Sequence, residues 1–139
     1  MSDPAAIARS YLEAVPRREF DKIRELMHAQ YSYTGGDGHR QDGADAGIAV
    51  AQMYTTAFPD VKLDIKGIHA AGNHAVVEFV ANGTHQGELM GIAPTGRKIS
   101  VPVCVVLEIR DGKIIAEREY FDSGVMMQQL GVMPAAATA

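Results

Sequence analysis

At Pro59 the hydrophobic repeat of this chain changes period, and that change limits what it can fold into. Before it, apolar side chains recur at helical spacing in three groups: Ala8, Tyr11, Leu12 and Val15, then Phe20, Ile23, Leu26 and Met27, then Ile48, Ala51, Tyr54, Ala57 and Phe58. After it, Val61, Leu63 and Ile65 alternate with Lys62, Asp64 and Lys66, as in a strand with one wet face. Helices gathered early and strands late predict an α+β fold. A length of 139 residues suits a single domain, expected over 1–134, with 135–139 as a frayed tail.

Turn and cap residues divide the pattern further. Asp3 and Pro4 open the first helix, and Pro16 separates it from the second. Tyr31 and Tyr33 around Ser32 predict a short strand, and the glycine-rich run 34–43 a loop. Asp42 and Asp45 stand at capping-box-like spacing ahead of the third helix. Gly72-Asn73 predicts a turn into a strand over 74–85, and 86–97 is a connection. The strand 98–110 follows, then an Asp111-Gly112 hairpin, a returning strand to about Asp122, and a closing helix over 123–130 stopped at Gly131. A curved sheet folded around helices can leave a cone-shaped pocket.

Charge and composition exclude several functions. A net charge of -4 argues against nucleic acid as the main partner, because phosphate binding needs a concentrated basic surface. Arg17, Arg18, Lys22 and Arg24 are interleaved with acids and predict a solvated helix face. A single cysteine rules out an internal disulfide, and Cys104, inside the apolar run 101–107, is expected to be a buried, inert thiol. No apolar stretch approaches the length of a membrane span, and the N-terminus lacks the pattern of a signal peptide, so a cytoplasmic protein with no membrane partner is expected. Phosphate loops, zinc spacings and nucleophile elbows are absent.

Two residues stand out as chemistry. His85 ends the row Val77, Phe79, Ala81 and Gly83; it is either a satisfied core residue or, with the room that Gly83 leaves for a ligand, a site residue. On the last strand, strict alternation puts Ile114, Ala116, Arg118, Tyr120 and Asp122 on one face and Ile115, Glu117, Glu119 and Phe121 on the other. The first row turns polar toward its end, as a pocket wall would, so Asp122 is a candidate general acid–base; it also stands where the closing helix needs an N-cap. Tyr33, Met53, Tyr54, Phe58, Phe79 and Tyr120 are candidates for the wall. The uncharged row Ile99, Val101, Val103, Val105, Leu107 and Ile109 fills one face of its strand, and Cys104 and Val106 stand on the other. One small domain has limited means to cover both faces, which predicts a partner sheet from a second copy, hence a homodimer.

Gly83-Thr84-His85-Gln86-Gly87-Glu88, Gly91, Pro94-Thr95-Gly96-Arg97, Asp111-Gly112-Lys113-Ile114, Asp122 and Gln129-Leu130-Gly131, with Phe58-Pro59-Asp60 ahead of the sheet, together resemble the SnoaL-like polyketide cyclase family. The resemblance covers Tyr54 to Gly131 and extends weakly through the N-terminal helices. It implies the ketosteroid-isomerase-like cone, also called nuclear transport factor two-like, and a homodimer. It also implies intramolecular aldol closure of a small hydrophobic carbonyl compound without metal or organic cofactor, with Asp122 as acid/base and His85 nearby. Arg118 stands where relatives often carry an aromatic, a departure that changes the charge expected in the pocket. The alternative within the same fold is a non-catalytic protein that binds a small hydrophobic ligand. An epoxide-hydrolase-like chemistry would need an Asp-Arg-Asp set that 74–82 does not offer, and Asp37 or Asp42 as a steroid-isomerase base would lie in an exposed turn.

Overall fold

The Asp3 carboxylate accepts the Ala5 N–H at 3.0 Å and Pro4 takes the first helical position, so helix α1 (Pro4–Ala14) starts as its sequence predicts. The structure, a computed structural model, describes residues 3–133; the tail expected to fray at 135–139 lies outside the described residues. Helix α2 (Phe20–Leu26) ends one residue early, because Met27 already has extended backbone and begins strand β1 (Met27–Thr34). The 34–43 loop holds a strand the sequence reading missed: β2 (Arg40–Asp42) pairs back on β1. Asp42 therefore does not cap helix α3 (Ala44–Ala57); Gly43 occupies that position, and Asp42 accepts a hydrogen bond from Arg40 instead. The remaining elements are β3 (Lys62–Ala71), β4 (His74–Thr84), β5 (Lys98–Arg110), β6 (Lys113–Phe121) and α4 (Ser123–Gln129). Arg18, read as part of a solvated face, turns its guanidinium onto the Thr55 carbonyl at 2.8 Å and so covers a carbonyl in the last turn of α3.

The strands form one six-stranded sheet in the order β2-β1-β6-β5-β4-β3. Every pairing is antiparallel except β1 with β6, which run parallel with Tyr33 opposite Glu117. The helices α1 and α3 pack against the sheet from one side, so this is an α+β fold with a curved open sheet. Ile99, Val101, Val105, Leu107 and Ile109 are buried on that inner side. The helices and the cavity cover this face of β5; Cys104 and Val106 stand on the other.

A β-bulge decides which residues of β6 face inward. Ile109 stands opposite Ile114, but Glu108 stands opposite Ala116, leaving Ile115 as an extra residue in β6. Both isoleucines are buried, at 0% and 9% exposure, which strict alternation forbids. The bulge reverses the face of everything after it. Glu117, opposite Leu107, and Glu119, opposite Val105, turn inward, while Ala116, Arg118 and Tyr120 turn to the outer face. Cys104, expected in the core, is half-buried on that outer face opposite Tyr120.

Candidate active site

A largely apolar cavity of about 110 Å³ lies between the sheet and helices α1 and α3. Such a volume holds several waters or part of a small organic ligand. Its polar end is built by β6: Glu117 and Glu119 are two residues apart on the inner face and both line the cavity. Among the described residues, the lining contains no Lys, Arg or His.

Three tyrosines hold these carboxyls. The Tyr11 hydroxyl from α1 donates to Glu117 Oε1 at 2.6 Å, and the Tyr31 hydroxyl from β1 donates to the same oxygen at 2.7 Å. The Tyr33 hydroxyl donates to Glu119 Oε1 at 3.0 Å. Burial pushes the Glu117 carboxyl above the usual carboxylate range, opposed by its two tyrosine donors. Burial, and then the charge of Glu117, pushes Glu119 up to about 7, opposed only by Tyr33. The hydroxyls of Tyr11, Tyr31 and Tyr33 are raised by burial and then by the facing carboxyls, so they remain donors at neutral pH.

Gly47 makes this arrangement possible. A Cβ there would stand 2.6 Å from Tyr31 Cε1 and 2.9 Å from the Met27 methyl, so α3 reaches β1 only with no side chain at this position. Gly47→Ala is expected to lower stability by about 1–3 kcal/mol through overpacking, measured by chemical denaturation, and to move the Tyr31 ring off Glu117. Unchanged stability would mean that the helix shifts freely.

The structure brings some expected residues together and separates others. Tyr33, Tyr54, Phe58 and Phe79 line the cavity. Met53 is half-buried against the cluster that includes Phe58 and Met126 but is not part of the lining. Arg118 and Tyr120 lie on the outer face, Tyr120 being 54% exposed, because the bulge reverses their direction. The departure at Arg118 therefore leaves the cavity charge unchanged.

Asp122 is also corrected in placement. It is exposed, lies just beyond β6, and its Oδ1 accepts the N–H groups of Gly124 and Val125 at 2.9 and 3.3 Å as the N-cap of α4. Asp122→Ala is expected to cost about 0.5–2 kcal/mol of stability, and Asp122→Asn little, with turnover retained in the Asn variant. A large loss of turnover in the Asn variant would return Asp122 to the chemistry.

His85 is fully buried, with its ring 5.6 Å from that of Phe58 and outside the cavity lining. Its Nδ1 accepts the Thr95 N–H at 3.1 Å, which ties the connection between β4 and β5 to the end of β4. Its main chain completes the tie, donating to the Arg97 carbonyl and accepting from the Gly96 N–H.

The sequence reading missed Glu117, Glu119, Tyr11 and Tyr31 as site residues. The available signal was two adjacent isoleucines ahead of two acids on one strand face, since burying both isoleucines requires a bulge.

An α+β cone with carboxyls at the polar end of an apolar cavity defines a class of protein. The fold is the ketosteroid-isomerase-like one: a protein described with that fold from Catenulispora acidiphila superposes with a TM-score of 0.78 at 18% identity, over 95% of this chain and 97% of its own. IdmH from Streptomyces antibioticus superposes with a TM-score of 0.81 at 27% identity, over 94% of this chain and 99% of its own. The aklanonic acid methyl ester cyclase AcmA of Streptomyces galilaeus is 30% identical over 133 residues, 94% of this chain and 92% of its own. Residues 5–130 match the family described as SnoaL-like polyketide cyclase, and the chain belongs to that family.

Proposed function

We propose that this chain closes a ring in a small, hydrophobic, polyketide-like carbonyl compound, with Glu119 as general acid–base and no cofactor. The observation that carries the reading is a cavity-facing carboxyl, raised by its burial to about 7, on an otherwise apolar wall. A group of that strength is both a base and an acid near neutral pH. The cyclase named among its relatives supports the reaction class.

Glu119 removes a proton from a carbon flanked by carbonyls, and the dry wall around it strengthens each electrostatic contact with the enolate. The enolate carbon attacks a second carbonyl of the same molecule, forming one C–C bond. The alkoxide that results takes the proton back from Glu119. Atoms and electrons balance as an isomerisation, with no oxidant or reductant required. Tyr33, hydrogen-bonded to Glu119 Oε1, orients the carboxyl across the cavity. Asp122 and His85 take no step in this scheme.

The test is incubation with a diketone or an anthracycline-type methyl ester, followed by chromatography for the ring-closed isomer. Tight binding without conversion would overturn catalysis and leave the ligand-binding alternative.

A homodimer is expected on the outer sheet face. There Val76 pairs with Val106, Val80 with Pro102 and Cys104 with Tyr120, and Arg118 and Glu78 on the same face supply opposite charges for a two-fold contact. Light scattering at micromolar concentration is expected to give twice 14.9 kDa; a monomer mass would contradict the pairing.

A further inference from the structure

One buried carboxyl, Glu117, has no step in the ring closure. It is 4% exposed, yet it lines the cavity. Both tyrosine hydroxyls converge on its Oε1, at 2.6 and 2.7 Å, distances typical of a hydroxyl donating to a charged oxygen. Glu119 has one hydroxyl, at 3.0 Å. The groups facing the pair are Tyr11 from α1, Tyr31 and Tyr33 from β1, and Tyr54 from α3, with Asp37 in the β1–β2 loop acting on Tyr54. No cation lines the cavity among the described residues, so two negative charges there would have nothing to balance them.

We propose that Glu117 and Glu119 form a coupled pair in which Glu117, held by Tyr11 and Tyr31, carries the negative charge and Glu119 carries the titrating proton. Glu117 is then a positioning residue that acts through Glu119: its fixed charge keeps the neighbouring carboxyl basic enough to deprotonate a carbon acid. The asymmetry comes from hydrogen bonding. Two donors stabilise the ionised form of Glu117 against its burial, whereas Glu119 has one donor and also meets the like charge of Glu117. The tyrosines are thus part of the acid–base device although none reaches across to Glu119 except Tyr33. This inference deepens the Proposed function and rests on it for its catalytic meaning, but the charge distribution is measurable without turnover.

The experiment is a carbon-13 NMR titration of the full chain labelled at glutamate carboxyls, with the two resonances assigned from Glu117→Gln and Glu119→Gln spectra. In the wild type, the Glu119 resonance is expected to move with a midpoint near 7 while Glu117 stays at the carboxylate position through the same range. In Glu117→Gln, removal of the like charge is expected to lower the Glu119 midpoint by about one unit or more. The acid limb of the pH–rate profile should move down with it. An unchanged Glu119 midpoint, or Glu117 titrating near 7 in its place, would overturn the proposal. Should Glu117→Gln not fold, Tyr11→Phe and Tyr31→Phe each remove one donor from Oε1, and the step near 7 is expected to pass in part to Glu117. A Glu117 resonance that moves in neither variant would also overturn it. If the titrations come out as expected and no carbonyl compound is converted, the cyclase reading fails and the pair stands.

Discussion

Glu119→Gln is expected to lower turnover of a ring-closing substrate by about 100-fold or more, roughly 2.7 kcal/mol of transition-state stabilisation. Gln keeps the length of the side chain, and its carbonyl oxygen still accepts the Tyr33 hydroxyl, so the cavity keeps its shape. What it loses is the ability to take up and return a proton. Ligand binding should therefore survive with little change while kcat falls. The measurement is kcat and KM side by side with an equilibrium binding constant. Undiminished kcat in this variant would remove Glu119 from the mechanism.

The same substitution is expected to change how stability depends on pH. The carboxyl of Glu119 is lifted from an ordinary 4.5 to about 7 in the folded protein, chiefly by burial. Between those values the folded state binds more protons than the unfolded state, so this group makes stability fall as pH rises. Its contribution is present in full below about 4.5 and is lost as pH passes through 7. The loss is on the order of 3 kcal/mol at pH 8, at about 1.4 kcal/mol per unit. Burial moves Glu117 in the same direction, so the cleanest quantity is the wild type minus the Gln variant. Denaturant melts at pH 5 and pH 8 are expected to show Glu119→Gln gaining on the wild type at the higher pH. Parallel stability curves would mean that Glu119 is solvated.

Most of the fold was legible because it rests on local periodicity. The three N-terminal helices, the 98–110 strand, the two hairpin turns and the stop at Gly131 follow from spacing and turn chemistry. The resemblance carried the architecture and the family. The site was less legible, because its geometry depends on one irregular residue. Counting by twos along 113–122 is valid only for an unbroken ladder, and Ile115 breaks it, so Arg118 and Tyr120 were placed on the wrong wall, while Asp122 lies past the end of the strand as the cap of α4. The tyrosines were legible as apolar bulk but not as donors. Their partners lie on a strand distant in sequence, and the parallel β1–β6 pairing that unites them leaves no trace in either segment alone.

That pairing also bears on when the site can exist. Its three hydrogen bonds link residues 106, 86 and 86 positions apart, joining the first helix and first strand to the last strand. Closing spans of this length is entropically costly and is rewarded only when the distant partners meet. A nascent chain that has not yet delivered 117–119 has phenols with no carboxyl to receive them. The hydrogen bonds of the carboxyl pair therefore cannot form until residues 117–119 have been synthesised, which places them among the later features of the fold to assemble.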